Sequence, residues 1–272
     1  MLKTRVITAL VLLAVLLAIL YSRSPLFFKA ALIIAFAAAA WESFRLFKSK
    51  HPVIGAAIWT LALGFMLFPG TAVDATLLSG ICVAIWAIRL APSLALGLPP
   101  LDGLGNRLLN GIYGIAILGC FVAMAVLFQH SPLFLFSVLA LVWMADIGAY
   151  FSGKAFGKHK LAPSISPGKS WEGAIGGWIV VLLFAAATTM HPLLADTFAV
   201  KVLTTWGWAG LFGAMTLLVA ASVVGDLFES QLKRRAGMKD SSNLLPGHGG
   251  VLDRVDALIP VLPLAVLLDA WM

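Results

Sequence analysis

Only twelve Asp and Glu occur in this chain of 272 residues. Six of them, Asp146, Asp226, Glu229, Asp240, Asp253 and Asp256, lie in or beside the ends of the later apolar runs. Asp253 and Asp256 are three residues apart, and Asp226 and Glu229 repeat that spacing, so each pair shares one face of a helix. A carboxylate at the centre of a membrane helix costs roughly 2.5–3.5 kcal/mol on insertion scales, so one placed there has a partner or a task. Two acidic pairs facing each other at one depth suit a hard divalent cation such as Mg²⁺, which takes oxygen ligands and keeps waters for phosphates. The plainer role for any single Asp is a helix cap or an ion pair, for instance Asp253 with Arg254 or Lys239. Four acids converging beside basic and Gly-rich segments argue for a site.

The basic residues strengthen that reading. The segment "SQLKRRAGMKD" sets Lys233, Arg234, Arg235 and Lys239 among Asp226, Glu229 and Asp240. A basic run at a membrane face usually serves topology or anionic headgroups. Interleaved with acids, it becomes the equipment for clamping a phosphoryl group in transfer. "PGHGG" follows, and Gly247, Gly249 and Gly250 permit close backbone approach to phosphate oxygens just before a helix N-terminus. His248 alone would be a structural hydrogen-bonder; within this loop it joins the candidates. Earlier, "DIGAYFSGKAFGK" and "SISPGKSWEG" offer Lys154, Lys158 and Lys169 with Ser164, Ser166 and Ser170. Gly168 precedes Lys169-Ser170, but Pro163 stands where a P-loop needs its first glycine, so no P-loop is present. Together these segments describe a metal-dependent phosphate site sunk slightly into a bilayer.

The elements that must position these residues are membrane helices. The chain is 61% hydrophobic and 11% charged, with a mean hydropathy of +1.00, far from the composition of a soluble domain. Apolar runs of about 20 residues, enough to cross a bilayer, recur along its length, and no composition shift marks a soluble domain. The fold expected is an all-α, polytopic integral membrane protein of about nine spans. They lie at about 5–21, 26–46, 52–69, 74–92, 109–129, 132–152, 173–192, 205–226 and 251–271. Residues 1–130 supply N-terminal spans, and 131–272 form the catalytic half with polar segments 153–172 and 226–256. The N-terminal run follows a basic start but lacks a small-residue cleavage site, so it reads as a retained span.

Charge placement gives the orientation. With the N-terminus in the cytoplasm, sixteen of the nineteen Lys and Arg face that side, and only Arg23, Lys29 and Lys201 face the other. This is the asymmetry of the positive-inside rule, and it gives an N-in, C-out arrangement. The net charge of +7 is accounted for by these flanking residues and needs no nucleic acid. Cys82 and Cys120 lie inside apolar runs and read as buried hydrophobes.

The stretch "SQLKRRAGMKDSSNLLPGHGGVLDRVD" (230–256) resembles the signature of phosphatidate cytidylyltransferases. Ser230, Lys233, Arg234, Lys239, Asp240, Pro246, Gly247, His248, Gly249, Gly250, Asp253, Arg254 and Asp256 stand in register with it. The two segments at 146–158 and 164–173 also resemble that family, so the likeness covers roughly the C-terminal half. There are departures: Ser241 and Ser242 stand where the family often has Phe-Gly, and Ser170 replaces a Thr.

The resemblance implies transfer of CMP from CTP to phosphatidic acid with Mg²⁺, a second metal ion being compatible with it. On this reading Asp226, Asp253 and Asp256 hold the metal, while Lys233, Arg234, Lys239 and Arg254 neutralise phosphates. The Gly247, Gly249 and Gly250 loop donates N–H groups, His248 orients a water or phosphate oxygen, and Ser166, Lys169 and Ser170 contact the nucleotide. A CTP-dependent polyprenol or lipid kinase would use the same features, with His248 or Asp240 as base for an alcohol. A secondary transporter is the non-enzymatic alternative, but the polar residues gather at one interface and no internal repeat is evident. The expected setting is a bacterial inner membrane with the site on its cytoplasmic face. The apolar span surfaces leave a homodimer open.

Overall fold

A computed structural model describes residues 2–68 and 74–272. The last residue of the expected third span, Pro69, lies outside the described residues, as do the side chains of Lys3 and Arg5. The helices are α1 (Leu2–Ser22), α2 (Pro25–Leu46), α3 (Pro52–Leu67) and α4 (Ala75–Ile85), which runs through a π-helical turn (Trp86–Leu90) to the short α5 (Ser93–Leu96). There follow α6 (Leu104–His130), α7 (Pro132–Phe156), a hairpin of β1 (Lys160–Ala162) and β2 (Ser166–Ser170), and α8 (Trp171–Thr188). The chain closes with α9 (Phe198–Ala236), α10 (Leu252–Val255) and α11 (Leu258–Asp269).

Helix starts follow from local chemistry. Pro opens α2, α3 and α7, where its missing N–H has no intrahelical partner to lose. The Ser131 hydroxyl accepts from Phe134 N–H at 3.0 Å, and the Asp74 carboxylate accepts from Leu77 N–H at 2.9 Å, each filling an orphan donor of a first turn. Among the described residues, six helices are long and apolar enough to cross a membrane: α2, the α4–α5 unit, α6, α7, α8 and α9. Shorter apolar helices span Val6–Ser22 and Pro52–Leu67. The chain is thus an all-α polytopic membrane protein, with the small hairpin as its β-structure among the described residues.

Two expected boundaries move. The span placed at 205–226 is part of a helix of 39 residues, kinked at Gly207 (φ 66°, ψ −170°). It runs on past the apolar stretch because "ESQLKRRA" continues in good helix formers, and it stops at Gly237 in the left-handed region (φ 73°). The span placed at 251–271 is broken into α10 and α11 at Asp256 and Ala257.

The core is centred on α6, whose Tyr113, Ile117 and Phe121 are fully buried. Tyr113 packs on Phe228 of α9 and Phe47 at the end of α2, with ring centroids 5.1 and 6.2 Å apart. Hydrogen bonds between distant segments lie at both ends of the bundle, and Trp178 Nε1 donates to the Thr216 hydroxyl (2.9 Å) midway along α8 and α9. At one end Thr8 donates to Pro246 O (2.9 Å), Asn106 to Phe47 O (2.9 Å), Gln231 to Ser93 O (3.0 Å) and Arg235 to Pro99 O (3.0 Å). At the opposite end Lys29 donates to Leu67 O (2.7 Å), His130 meets Asp196 (3.2 Å) and Lys201 pairs with Asp269 (2.6 Å).

Candidate active site

The polar segments that the sequence separates by some fifty residues meet at the first end. The hairpin is closed at its base by Glu172, whose carboxylate accepts from the N–H of Lys158 (3.2 Å) and of His159 (3.2 Å) and lies 2.6 Å from His159 Nδ1. This fixes β2, and β2 delivers Lys169 to α9: Lys169 Nζ lies 2.5 Å from Asp226 Oδ2. Arg234 makes a second tie, donating through Nε to Ile165 O at 3.3 Å. Beneath these contacts lies a cavity of about 390 Å³, walled by α7, α8 and α9. Its polar lining includes Asp146, Lys169, Ser222 and Asp226; small residues such as Ala149, Gly173 and Gly177 make room for it.

On α9, Asp226, Glu229 and Lys233 lie three and four residues apart and face the last two helices. Glu229 is fully buried, and its Oε2 is 2.6 Å from Lys233 Nζ. Lys233 reaches Asp253 Oδ1 at the same distance, 2.6 Å. The other oxygen of Asp253 accepts the Ser241 N–H, the Ser241 hydroxyl and the Gly250 N–H, each at 2.8 Å. Asp256 is near enough to act electrostatically on Glu229, and Asp226 on both Asp146 and Asp256. The crossing that allows this is at Gly225, where a Cβ would stand 2.5 Å from Asp256 O.

Several sequence expectations are redistributed by this geometry. Asp253 is occupied by protein donors on both oxygens and acts as the hub of the 241–253 segment. Among the described residues no group of three or more His, Cys, Asp or Glu is gathered to hold a metal ion; of Asp226, Asp253 and Asp256, Asp226 lines the cavity. Lys233 lies between Glu229 and Asp253, where it compensates buried carboxylates. Ser170 is buried and its hydroxyl caps α8 by accepting the Gly173 N–H at 3.2 Å, which is a structural task. Ser166 pairs across the hairpin with Ala162 and is partly exposed.

The glycine loop is a tight turn. Gly247 and Gly249 have φ of 76° and 81°, values that L side chains rarely adopt. His248 N–H donates to Leu245 O at 2.9 Å, and Leu245 N–H donates to Gly249 O at 2.8 Å. Gly250 N–H is given to Asp253, so of the three glycine amides of this tight turn that one is taken up within the protein. His248 Nδ1 is buried and without a hydrogen-bond partner. Arg234, Lys239, Asp240 and Arg254 are exposed at the same end, available to anionic ligands arriving from water.

One residue was missed altogether. Glu42 of α2 is fully buried and receives hydrogen bonds from the Ser242 hydroxyl, Val251 N–H (3.1 Å) and Leu252 N–H (2.6 Å). Its signal was available, since it is a lone carboxylate in the run "AFAAAAWESF", and such a charge in a span demands a partner. Ser241 and Ser242, read as departures from the family pattern, are the residues that bind Asp253 and Glu42.

The structure thus defines a polytopic α-helical membrane protein with a cavity that joins carboxylates and cations at one end of its bundle. The comparisons narrow this: residues 3–271 match the cytidylyltransferase family, and the chain belongs to it. It is 38% identical to a phosphatidate cytidylyltransferase of Haemophilus influenzae, over 97% of this chain and 96% of that one. The corresponding enzyme of Pseudomonas aeruginosa is 41% identical over 97% and 95%, and that of Bacillus subtilis 33% over 85% and 84%. The chain is a nucleotidyltransferase.

Proposed function

We propose that this protein transfers CMP from CTP to phosphatidic acid, giving CDP-diacylglycerol and pyrophosphate. The observation that carries the reading is the Lys169–Asp226 contact of 2.5 Å at the 390 Å³ cavity, which joins the two polar segments into one site. The nucleophile is an oxygen of the lipid phosphate monoester, already largely ionised near neutral pH because its second pKa is about 6. That oxygen bonds to the α-phosphorus of CTP as the bond to the β-phosphate oxygen breaks. No proton must move, so the reaction needs no general base. Its requirement is to bring two polyanions together in line and to neutralise their charge.

The residues divide that work. Lys169 enters the cavity from the hairpin, and the exposed Arg234, Lys239 and Arg254 form a cationic rim for the triphosphate and the lipid headgroup. Mg²⁺ fits the donor set, because Asp226 faces the cavity within electrostatic range of Asp256, and Mg²⁺ is held by one or two carboxylates plus waters and phosphates. When bound there, it supplies charge neutralisation on the transferring phosphates. Asp253 and Lys233 hold the segment that carries Asp256 and Arg254.

The same reading places the site on the cytoplasmic face of a bacterial inner membrane, with nine crossings and an N-in, C-out orientation. The contacts between distant segments at the two opposite ends support the alternation, and the basic excess supports the orientation. The test is stoichiometric: purified protein with Mg²⁺, CTP and phosphatidic acid is expected to release one pyrophosphate per CDP-diacylglycerol formed. CDP released with a phosphorylated lipid would mean a kinase and overturn the reading.

A further inference from the structure

The N-terminal helices enter the site through a single side chain. We propose that Glu42 of α2 is a positioning residue of the transfer reaction, holding the turn at 242–252 in the register that keeps Asp256 and Arg254 within electrostatic range of the cavity-wall carboxylates Asp226 and Asp146; this rests on the function proposed above. Glu42 has 0% of its surface exposed, and a buried carboxylate is retained only where donors compensate it. Those donors all come from about 200 residues further along the chain. Its Oε1 accepts from the Ser242 hydroxyl and, at 3.1 Å, from Val251 N–H. Its Oε2 accepts Leu252 N–H at 2.6 Å.

Three features make this more than a convenient cap. First, Ser241 and Ser242 are adjacent and grip different carboxylates: Ser241 holds Asp253 of α10, and Ser242 holds Glu42 of α2. Each acid also holds the far end of the turn, Asp253 through Gly250 N–H and Glu42 through Val251 and Leu252 N–H, so one acid from its own helix and one from a distant helix both span and pin it. Second, the path between the pins passes through Gly250, where a Cβ would stand 2.1 Å from Ser241 Oγ and 2.2 Å from Glu42 Oε1. Glycine there leaves space for the carboxylate. Third, Thr8 of α1 donates to Pro246 O at 2.9 Å, so a second N-terminal helix touches the same turn. Asp256 and Arg254 lie two to four residues beyond Leu252, so a shift of the turn moves both.

Glutamine cannot replace this group faithfully. Both oxygens of Glu42 face donors, so an amide would turn an N–H₂ toward an N–H or hydroxyl wherever it was placed. Misplacement of reacting groups by about 1 Å can cost about 100-fold in rate. Glu42→Gln is therefore expected to lower kcat per folded molecule by about 100-fold while KM for CTP moves less than about threefold. Ser242→Ala, which keeps the carboxylate, is expected to lower kcat several-fold. It should add little on top of Glu42→Gln, because both remove one contact. Lys201→Met, which breaks the ion pair with Asp269 at the opposite end, controls for general loosening: it is expected to lower thermal stability and leave kcat in place.

The experiment is steady-state kinetics of wild type and these variants in mixed micelles, normalised to folded protein. Wild type that makes no CDP-diacylglycerol would remove the functional reading itself. Active wild type, with Glu42→Gln within twofold of its kcat, would overturn the role of Glu42 alone. If Glu42→Gln does not accumulate, Ser242→Ala decides, and an unchanged kcat in that variant overturns the proposal. A Lys201→Met variant whose kcat falls like that of Glu42→Gln would overturn it too, by showing that any loosening suffices.

Discussion

At the scale of single residues, Asp253 and Asp256 of the signature have separate tasks, and substitution should separate them. Asp253 receives three hydrogen bonds at one oxygen and the Lys233 ammonium at the other. Asp253→Asn leaves Lys233 and Glu229 as the remaining members of a buried network, and breaking such a pair costs about 3–5 kcal/mol. That variant is expected to lose thermal stability and activity together, measured by a melt in detergent. Asp256→Asn is expected to lose activity by about 100-fold or more while the melting temperature changes little. Equal loss of stability in both variants would contradict the division. Much of this site was legible, because Lys233, Asp253, Arg254 and Asp256 stand at spacings that announce chemistry. Which Asp holds the fold and which faces the ligand was not legible, since that depends on donors from Ser241, Gly250 and Lys233 brought together only by folding. Asp146 was read as a late-span carboxylate, but its place in the cavity wall beside Lys169 and Asp226 required α7 to pack against α8 and α9.

At the scale of elements, the site depends on how closely α9 approaches the α10–α11 segment. Gly225 sets that distance, with Asp256 O at 2.5 Å and Pro260 Cδ at 2.9 Å from the position a Cβ would take. Gly225→Ala must push the helices apart, at a cost of about 1–3 kcal/mol, and is expected to reduce kcat at least tenfold while the protein still inserts. Normal turnover in that variant would show that the crossing does not position Asp226 against Asp256. The helices themselves were largely legible from hydropathy, because apolar length is what a bilayer selects. Hydropathy reports where a helix is apolar and is silent where it continues into water, so the C-terminal turns of α9 were read as loop. The hairpin at 160–170 was hidden for a related reason: its register depends on Glu172 gripping Lys158 and His159, a contact outside the strands.

At the scale of the molecule, the chain is a bundle with one charged end and one quieter end. The N-terminal half was expected to supply spans alone, yet α1 and α2 reach the turn at 242–252 through Thr8 and Glu42. A lone Glu in an alanine-rich helix carries no spacing pattern, so its distant partners could not be read from sequence. The nine-crossing orientation has its own test. In a background with Cys82 and Cys120 replaced, Lys239→Cys is expected to react with a membrane-impermeant maleimide only from the cytoplasmic side, and Arg23→Cys only from the other. Labelling of both from one side would reverse or break the alternation.

The central claim is that the joined segments move a nucleotidyl group onto a lipid phosphate. It is tested most directly by following label from CTP into lipid, with the cytosine and the γ-phosphate labelled in parallel, for wild type and Asp226→Asn. Cytosine label is expected in the lipid fraction of wild type and is expected to fall by about 100-fold or more in Asp226→Asn, with γ-phosphate label absent from lipid throughout. Lipid carrying only the γ-phosphate label, or cytosine transfer undiminished by Asp226→Asn, would contradict it.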